Sequence, residues 1–319
     1  MTPKILILGA GGQIGSELTF KLRTLYGEEA VIASDINKNN LEVVNSGPFE
    51  CINAKDYDGI KDCIIKYNIK KVYLMAAMLS ASGEKHPLAA WDLNMTSLFN
   101  VLNLAKEGYI ESIFWPSSIA VFGHTTPRHN TPQHTIMEPS TVYGISKLSG
   151  ERWCEYYKEK YNIDVRSLRY PGIISWKTKP GGGTTDYAID IFHKAILEEH
   201  YNCFLSEDTE LPMMYMDDAI NATIELMQAS KDDISVASYN LAAISFTPKE
   251  IAATIKDLIP EFSIDYTPDF RQDIADSWPA SIDDSLARKD WNWQHQFGLS
   301  DITKAMLTNL ENHYKLNGV

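Results

Sequence analysis

Along the first half of the chain, short uninterrupted apolar runs alternate with longer stretches in which apolar residues recur every three to four positions. The runs at 4–8, 30–34, 49–53, 71–75, 112–116 and 165–170 predict strands buried on both faces. The stretches at 14–25, 56–67, 87–105 and 143–161 predict the intervening helices. Parallel neighbours require a crossover, and such crossovers are right-handed. The alternation therefore predicts an α/β fold built on a doubly wound parallel Rossmann sheet.

After Tyr170 the pattern loosens. Residues 171–186 form a Pro/Gly/Thr-rich stretch around Gly181-Gly182-Gly183, too long for a simple turn. Thr247-Pro248-Lys249-Glu250 has the form of a capping box with proline at the first helical position, which predicts a helix to about residue 259. The tail from Phe262 predicts a short strand, a loop around Trp278-Pro279 and one or two helices. The expected division is a Rossmann domain at 1–170, rejoined by parts of 213–242. A smaller C-terminal substrate-binding lobe, at 171–212 and 243–319, is expected to close over the strand ends.

Composition narrows the function. Lys and Arg number 29 against 42 Asp and Glu, a net charge of −13. That balance argues against a nucleic-acid or anionic-membrane binder, which needs a basic face. No apolar run approaches the roughly 18 residues of a membrane span. Cys51, Cys63, Cys154 and Cys203 form no CxxC pair, so reduced thiols in a cytoplasmic protein are expected. A strand beginning at residue 4 leaves no room for a leader, which points the same way. His124, His129 and His134 recur every five residues, a spacing that gathers nothing on one helical face, so no metal site is expected.

The stretch Gly9-Ala10-Gly11-Gly12-Gln13-Ile14-Gly15 follows the first strand and opens the first helix. Glycines at 9, 12 and 15 permit a tight turn and close approach of backbone to a pyrophosphate at a helix N-terminus. Asp35 ends the second strand 20 residues after Gly15, where a carboxylate accepts from ribose hydroxyls and repels a 2′-phosphate. NAD is thus expected rather than NADP. Asp56 suits the adenine or a helix N-cap equally, and the small residues of Met75-Ala76-Ala77 suit a cofactor across a strand end or plain packing.

Tyr143 and Lys147 stand one helical turn apart on one face. An ammonium there favours the phenolate and brings tyrosine toward use as a base. Ser118 lies in Trp115-Pro116-Ser117-Ser118, at the C-terminal end of the fifth strand, where open α/β sheets bind ligands. No P-loop or GxSxG elbow accompanies these features.

Together Gly9/Gly12/Gly15, Asp35, Ser118 and Tyr143/Lys147 resemble the extended, epimerase-like branch of the short-chain dehydrogenase/reductases over essentially the whole chain. Longer segments resemble the zinc-independent, NAD-dependent L-threonine 3-dehydrogenases of that branch. They are Met75-Ala76-Ala77-Met78-Leu79-Ser80, Trp91-Asp92-Leu93-Asn94, the run from Phe114 to Gly123, Arg169-Tyr170-Pro171-Gly172, the run from Pro180 to Tyr187, and Asp276-Ser277-Trp278-Pro279. The resemblance implies oxidation of the 3-hydroxyl of L-threonine to L-2-amino-3-ketobutyrate, a step of threonine catabolism. Tyr143 would take the hydroxyl proton as hydride passes to NAD, with Ser118 orienting the oxygen and Lys147 tuning Tyr143 and holding the ribose. The expected cofactor set is Gly9, Gly12, Gln13, Ile14, Gly15, Asp35, Asp56, Leu74, Ala76, Ala77, Asn94, Pro116, Tyr143, Lys147 and Tyr170. The expected substrate set is Ser80, Ser118, Tyr143, Gly183, Thr184, Thr185 and Trp278, with Gly182 and Gly183 letting their loop close as a lid. Family members pair through a bundle that includes the Tyr/Lys helix, implying a homodimer; Trp153, Tyr156 and Tyr157 continue that helix. Two rivals remain: a nucleotide-sugar epimerase or dehydratase on the same fold, and a non-catalytic NAD-binding module. The sequence Tyr170-Pro171-Gly172 stands where sugar-nucleotide enzymes usually carry Asn-x-Tyr-Gly-Pro. Retention of Ser118, Tyr143 and Lys147 together counts against the second.

Overall fold

Crossover helices between buried apolar strands dominate the first half of the chain in the computed structural model, which describes residues 4–178, 183–316 and 318. In chain order the elements that carry the site are β1 (Lys4–Leu8), α1 (Gln13–Tyr26), β2 (Val31–Asp35), α2 (Leu41–Asn45), β3 (Phe49–Cys51), α3 (Tyr57–Tyr67), β4 (Ile69–Leu74), α4 (Ser80–Lys85), α5 (Pro87–Lys106), β5 (Ser112–Phe114), β6 (Ser117–Ser118), α6 (Val142–Tyr161) and β7 (Asp164–Tyr170). The sheet runs β3-β2-β1-β4-β5-β7 and continues to the strand Ser238–Asn240, with β6 also paired to β7. Every pairing from β3 through to β7 along that order is parallel. Strand order therefore reverses between β1 and β4, the place where a doubly wound sheet opens a crevice at its strand ends. Leu6, Ile32, Val72, Leu98 and Ile113 are fully buried between sheet and helices. Each contributes about 1.5–3 kcal/mol through apolar burial.

The fifth strand is shorter than its apolar run predicts, because Pro116 has no N–H for a ladder. Trp115 still donates its amide to Arg166 (3.0 Å), and pairing then resumes as β6. α6 begins at Val142, one residue before Tyr143, because the Thr141 hydroxyl caps it by accepting from the Gly144 amide at 3.0 Å.

Two compact units are distinguishable: Met1–Val121 with Pro139–Arg169 and Ile220–Tyr239, and Phe122–Glu138 with Tyr170–Ala219 and Asn240–Val319. The loop at 122–138, expected with the Rossmann domain, is bonded within the second unit. There the Thr131 amide donates to Ser281 and the Ala280 amide to Arg128. The second unit holds a three-stranded sheet of Ile244–Phe246, Leu211–Tyr215 and Gly172–Ile174, and a parallel pair of His200–Cys203 with Ser263–Tyr266. Thr247 and Glu250 cap each other reciprocally, as their spacing predicts, but the helix they open stops at Lys256. Three helices rather than one or two follow Phe262 among the described residues: Arg271–Asp276, Ser285–Trp291 and Leu299–Leu316. No helix among the described residues is long and apolar enough to cross a membrane.

Candidate active site

The glycine loop joins β1 to α1 by a backbone path that side chains would block. Gly9 has φ +89°, and a Cβ there would stand 2.5 Å from the Ala76 amide nitrogen. A Cβ on Gly15 would stand 2.2 Å from the Gly9 carbonyl oxygen. The third glycine of the spacing, Gly12, is exposed at the N-cap of α1, with no side chain capping the helix and no acidic residue in its first turn. The first turn, which includes Gln13 and Ile14, thus leaves its N–H groups and partial positive charge open to an anion.

Asp35, at the end of β2, accepts from the Gly11 amide at 2.9 Å and from the Ile36 amide at 2.7 Å. These bonds fix the carboxylate beside the loop. Gly11 was not singled out by its spacing, yet a Cβ there would stand 2.9 Å from Asp35 Oδ2. Asp56 caps α3, accepting from the Gly59 amide at 3.1 Å. Leu74 closes β4, and Met75 and Ala76 both donate to the Leu8 carbonyl, which brings Ala76 against Gly9. Asn94 is buried and its amide is engaged: it accepts from Met78 N at 2.8 Å and donates to Met78 O and Ser146 Oγ at 3.1 Å. Ser146 in turn donates to the Tyr143 carbonyl at 2.8 Å, so Asn94 braces the first turn of α6.

Ser118 lies near enough to the Tyr143 phenol to draw it toward ionisation. Ser118 Oγ also accepts from the Ala120 amide at 3.2 Å. Lys147 is buried, donates to the Pro116 carbonyl at 2.5 Å and lies 4.5 Å from the centre of the Trp115 ring. Its ammonium is 5.4 Å from the Tyr143 ring centre. The electrostatics differ from the expected picture of an ammonium stabilising a phenolate. Burial pushes the Tyr143 phenol up to about 12, and the opposing pull comes from Ser118. Burial draws Lys147 down to about 7, opposed by the nearby Cys154 and Glu151. Both groups thus favour their neutral forms in the protein alone, and Ser118 is the partner that draws the phenol toward ionisation.

Several side chains that place these groups carry signals that went unread. Thr141 precedes an apolar-periodic stretch, the ordinary mark of an N-cap. Glu84 accepts from the Val142 amide at 2.8 Å and ties α4 to the start of α6. Gly150 lets α6 press on β5, since a Cβ there would stand 2.4 Å from the Trp115 ring. Ser80 opens α4 and is half-buried.

In the second unit Tyr170 is buried at the end of β7. Gly183 donates to Asp186 at 2.8 Å and opens the turn Thr184–Asp186. Thr184 is buried, and Thr185 packs where a Gly172 side chain would go, 2.8 Å from its Cβ position. Trp278 is buried just beyond the helix Arg271–Asp276. Gly181 and Gly182 lie outside the described residues. His124, His129 and His134 are exposed.

Residues 5–242 match the model of the NAD dependent epimerase/dehydratase family. The chain belongs to that family. NAD is its cofactor, and the features that fit NAD are the open first turn of α1, the side-chain-free approach at Gly9 and Gly15, and the Asp35 carboxylate at the end of β2. A curated family relative, an uncharacterized epimerase/dehydratase of Staphylococcus saprophyticus, is 47% identical over 98% of both chains. The GalE-like L-threonine dehydrogenase of Cupriavidus necator, solved in its holo form, is 57% identical, with TM-score 0.94 over 97% of this chain and 100% of that one. A partial consensus L-threonine 3-dehydrogenase is 58% identical, with TM-score 0.93 over the same shares.

Proposed function

We propose that the protein oxidises the 3-hydroxyl of L-threonine to L-2-amino-3-ketobutyrate, with Tyr143 as general base. The observation that carries the chemistry is Ser118, which draws the Tyr143 phenol toward ionisation, beside buried Lys147 held on the Pro116 carbonyl at the strand end. Whole-length likeness to L-threonine dehydrogenases supports the choice of substrate. When bound, NAD supplies the acceptor for the hydride leaving C3. Ser118 donates its hydroxyl proton toward the substrate oxygen, which aligns the C3 hydroxyl and then the ketone. Tyr143, once ionised to the phenolate, accepts the hydroxyl proton and becomes the phenol, so the oxygen's electron pair can form the carbonyl as hydride departs. Lys147 holds the ribose and lowers the cost of the phenolate once its charge is fixed there. Gln13, Ile14, Leu74, Ala77, Pro116 and Tyr170 are assigned to the cofactor beside the glycines and Asp35. Asp56 and Asn94 contribute by fixing α3 and α6. Ser80, Gly183, Thr184, Thr185 and Trp278 are assigned to the amino acid.

The protein is proposed to work as a cytoplasmic homodimer. Free thiols at Cys51, Cys63, Cys154 and Cys203 suit a reducing compartment. α5 and α6 carry exposed Leu88, Trp91, Trp153 and Tyr156, an apolar load suited to a helix-to-helix interface. The assignment is tested by following NADH formation with NAD and L-threonine, using D-threonine, L-serine and a UDP-sugar as alternatives. Steady NADH formation selective for L-threonine supports it. Epimerisation of the UDP-sugar without turnover of threonine overturns the substrate and leaves the fold and cofactor standing.

A further inference from the structure

Tyr143, Lys147 and Glu151 are successive residues four apart on α6 and therefore share one face. They meet three consecutive residues at the strand end. Tyr143 feels Ser118, which draws its phenol toward ionisation, Lys147 donates to the Pro116 carbonyl, and Glu151 Oε1 accepts from Ser117 Oγ at 2.6 Å. Ser117 and Glu151 are both buried. Arg169 of β7 holds the carboxylate by two bonds, Nε to Oε1 at 2.9 Å and Nη2 to Oε2 at 2.8 Å, and is itself buried. The guanidinium fork sets both the position and the plane of the carboxylate. A buried ion pair is seldom a better stabiliser than apolar residues of the same volume. This one ends on a serine adjacent to Ser118, the residue that draws the proposed base toward ionisation.

We propose that Glu151, held by Arg169, is a positioning residue of the reaction centre: through Ser117 it fixes the Pro116–Ser118 segment so that the Ser118 hydroxyl meets Tyr143. The inference rests on the activity proposed above only for its kinetic arm. Misplacing a reacting group by about 1 Å can cost on the order of a hundredfold in rate. Loss of the Ser117 tether should therefore appear in kcat rather than in substrate affinity.

The decisive variant is Ser117→Ala, which leaves the Glu151–Arg169 pair intact. It should lower kcat for L-threonine oxidation by about tenfold or more, with KM for threonine and for NAD moving less than about twofold. Ser117→Thr, which keeps a hydroxyl, should recover most of the loss. Glu151→Gln should lower kcat similarly, and adding Ser117→Ala to it should lower kcat no further. An arm free of substrate and coenzyme uses protein carrying ¹³Cζ-labelled tyrosine, with the Tyr143 resonance assigned by its loss in Tyr143→Phe. That resonance should move in both Ser117→Ala and Glu151→Gln and return in Ser117→Thr. A melting temperature that falls in Ser117→Ala while kcat and the Tyr143 resonance stay unchanged overturns the proposal and leaves Glu151 a packing residue. If the native protein oxidises no threonine, the activity assignment fails, and the resonance comparison still decides the role of Glu151.

Discussion

Tyr143 and Lys147 sit on the same face of one helix, but burial acts on them in opposite senses. The phenol is pushed up to about 12 and the ammonium drawn down to about 7. A lysine held below its ordinary range stabilises nothing in the folded protein while protonated. Between about pH 7 and the ordinary lysine range the unfolded chain keeps a proton that the folded one lacks, so folding stability rises with pH through that window. Lys147→Met should therefore raise the melting temperature most at or below pH 7 and least near pH 10, while abolishing turnover. A uniform shift across that range, measured by calorimetry, would contradict the burial argument. Tyr143→Phe should lower kcat by about 10²–10⁴-fold, the ordinary contribution of a positioned base, while NAD affinity measured by calorimetry changes little. The residue types of this pair and their spacing were legible in the sequence. The source of the pull on the phenol was not, because it depends on where the Lys147 ammonium turns, toward Pro116 and the Trp115 ring.

At the scale of elements, the site depends on how closely α1 and α6 approach their neighbours. The glycine spacing and the strand before it were enough to place α1 and its open N-terminus, since only backbone fits against the Gly9 carbonyl. Gly15→Ala should abolish NAD binding while the isolated protein still folds, read by calorimetry and far-UV dichroism. Retained micromolar affinity would mean that the cofactor lies elsewhere. α6 begins at its Thr141 cap, and Thr141→Ala should cost about 1 kcal/mol of stability in chemical denaturation. The break after Phe114 that sets off β6 was not legible as such, although Pro116 marked the place. A proline excludes a ladder bond, but it does not say that pairing resumes one residue later on β7. Glu151 was missed for a related reason: an acidic residue inside a helix ordinarily faces water, and only Arg169, on the strand that follows that helix, makes it a buried anchor.

Across the whole molecule, strand order and parallel pairing followed from alternation of apolar runs and helical stretches, because few right-handed doubly wound arrangements satisfy them. The loop at 122–138 did not, since its partners Ser281 and Ala280 lie some 150 residues further along the chain and no local pattern announces them. The exposed aromatics of α5 and α6 belong to this scale too. Trp153→Glu together with Tyr156→Glu should convert the proposed homodimer to monomer in sedimentation velocity, at unchanged melting behaviour of the monomer. A native protein already monomeric at micromolar concentration would remove that assignment. The central claim is that this family member takes hydride from C3 of L-threonine. The most direct measurement supplies NAD with L-threonine carrying deuterium at C3 and reads the reduced coenzyme by mass spectrometry. The account predicts one deuterium in each NADH formed and none when the label sits at C2; unlabelled NADH from the C3-labelled substrate would contradict it.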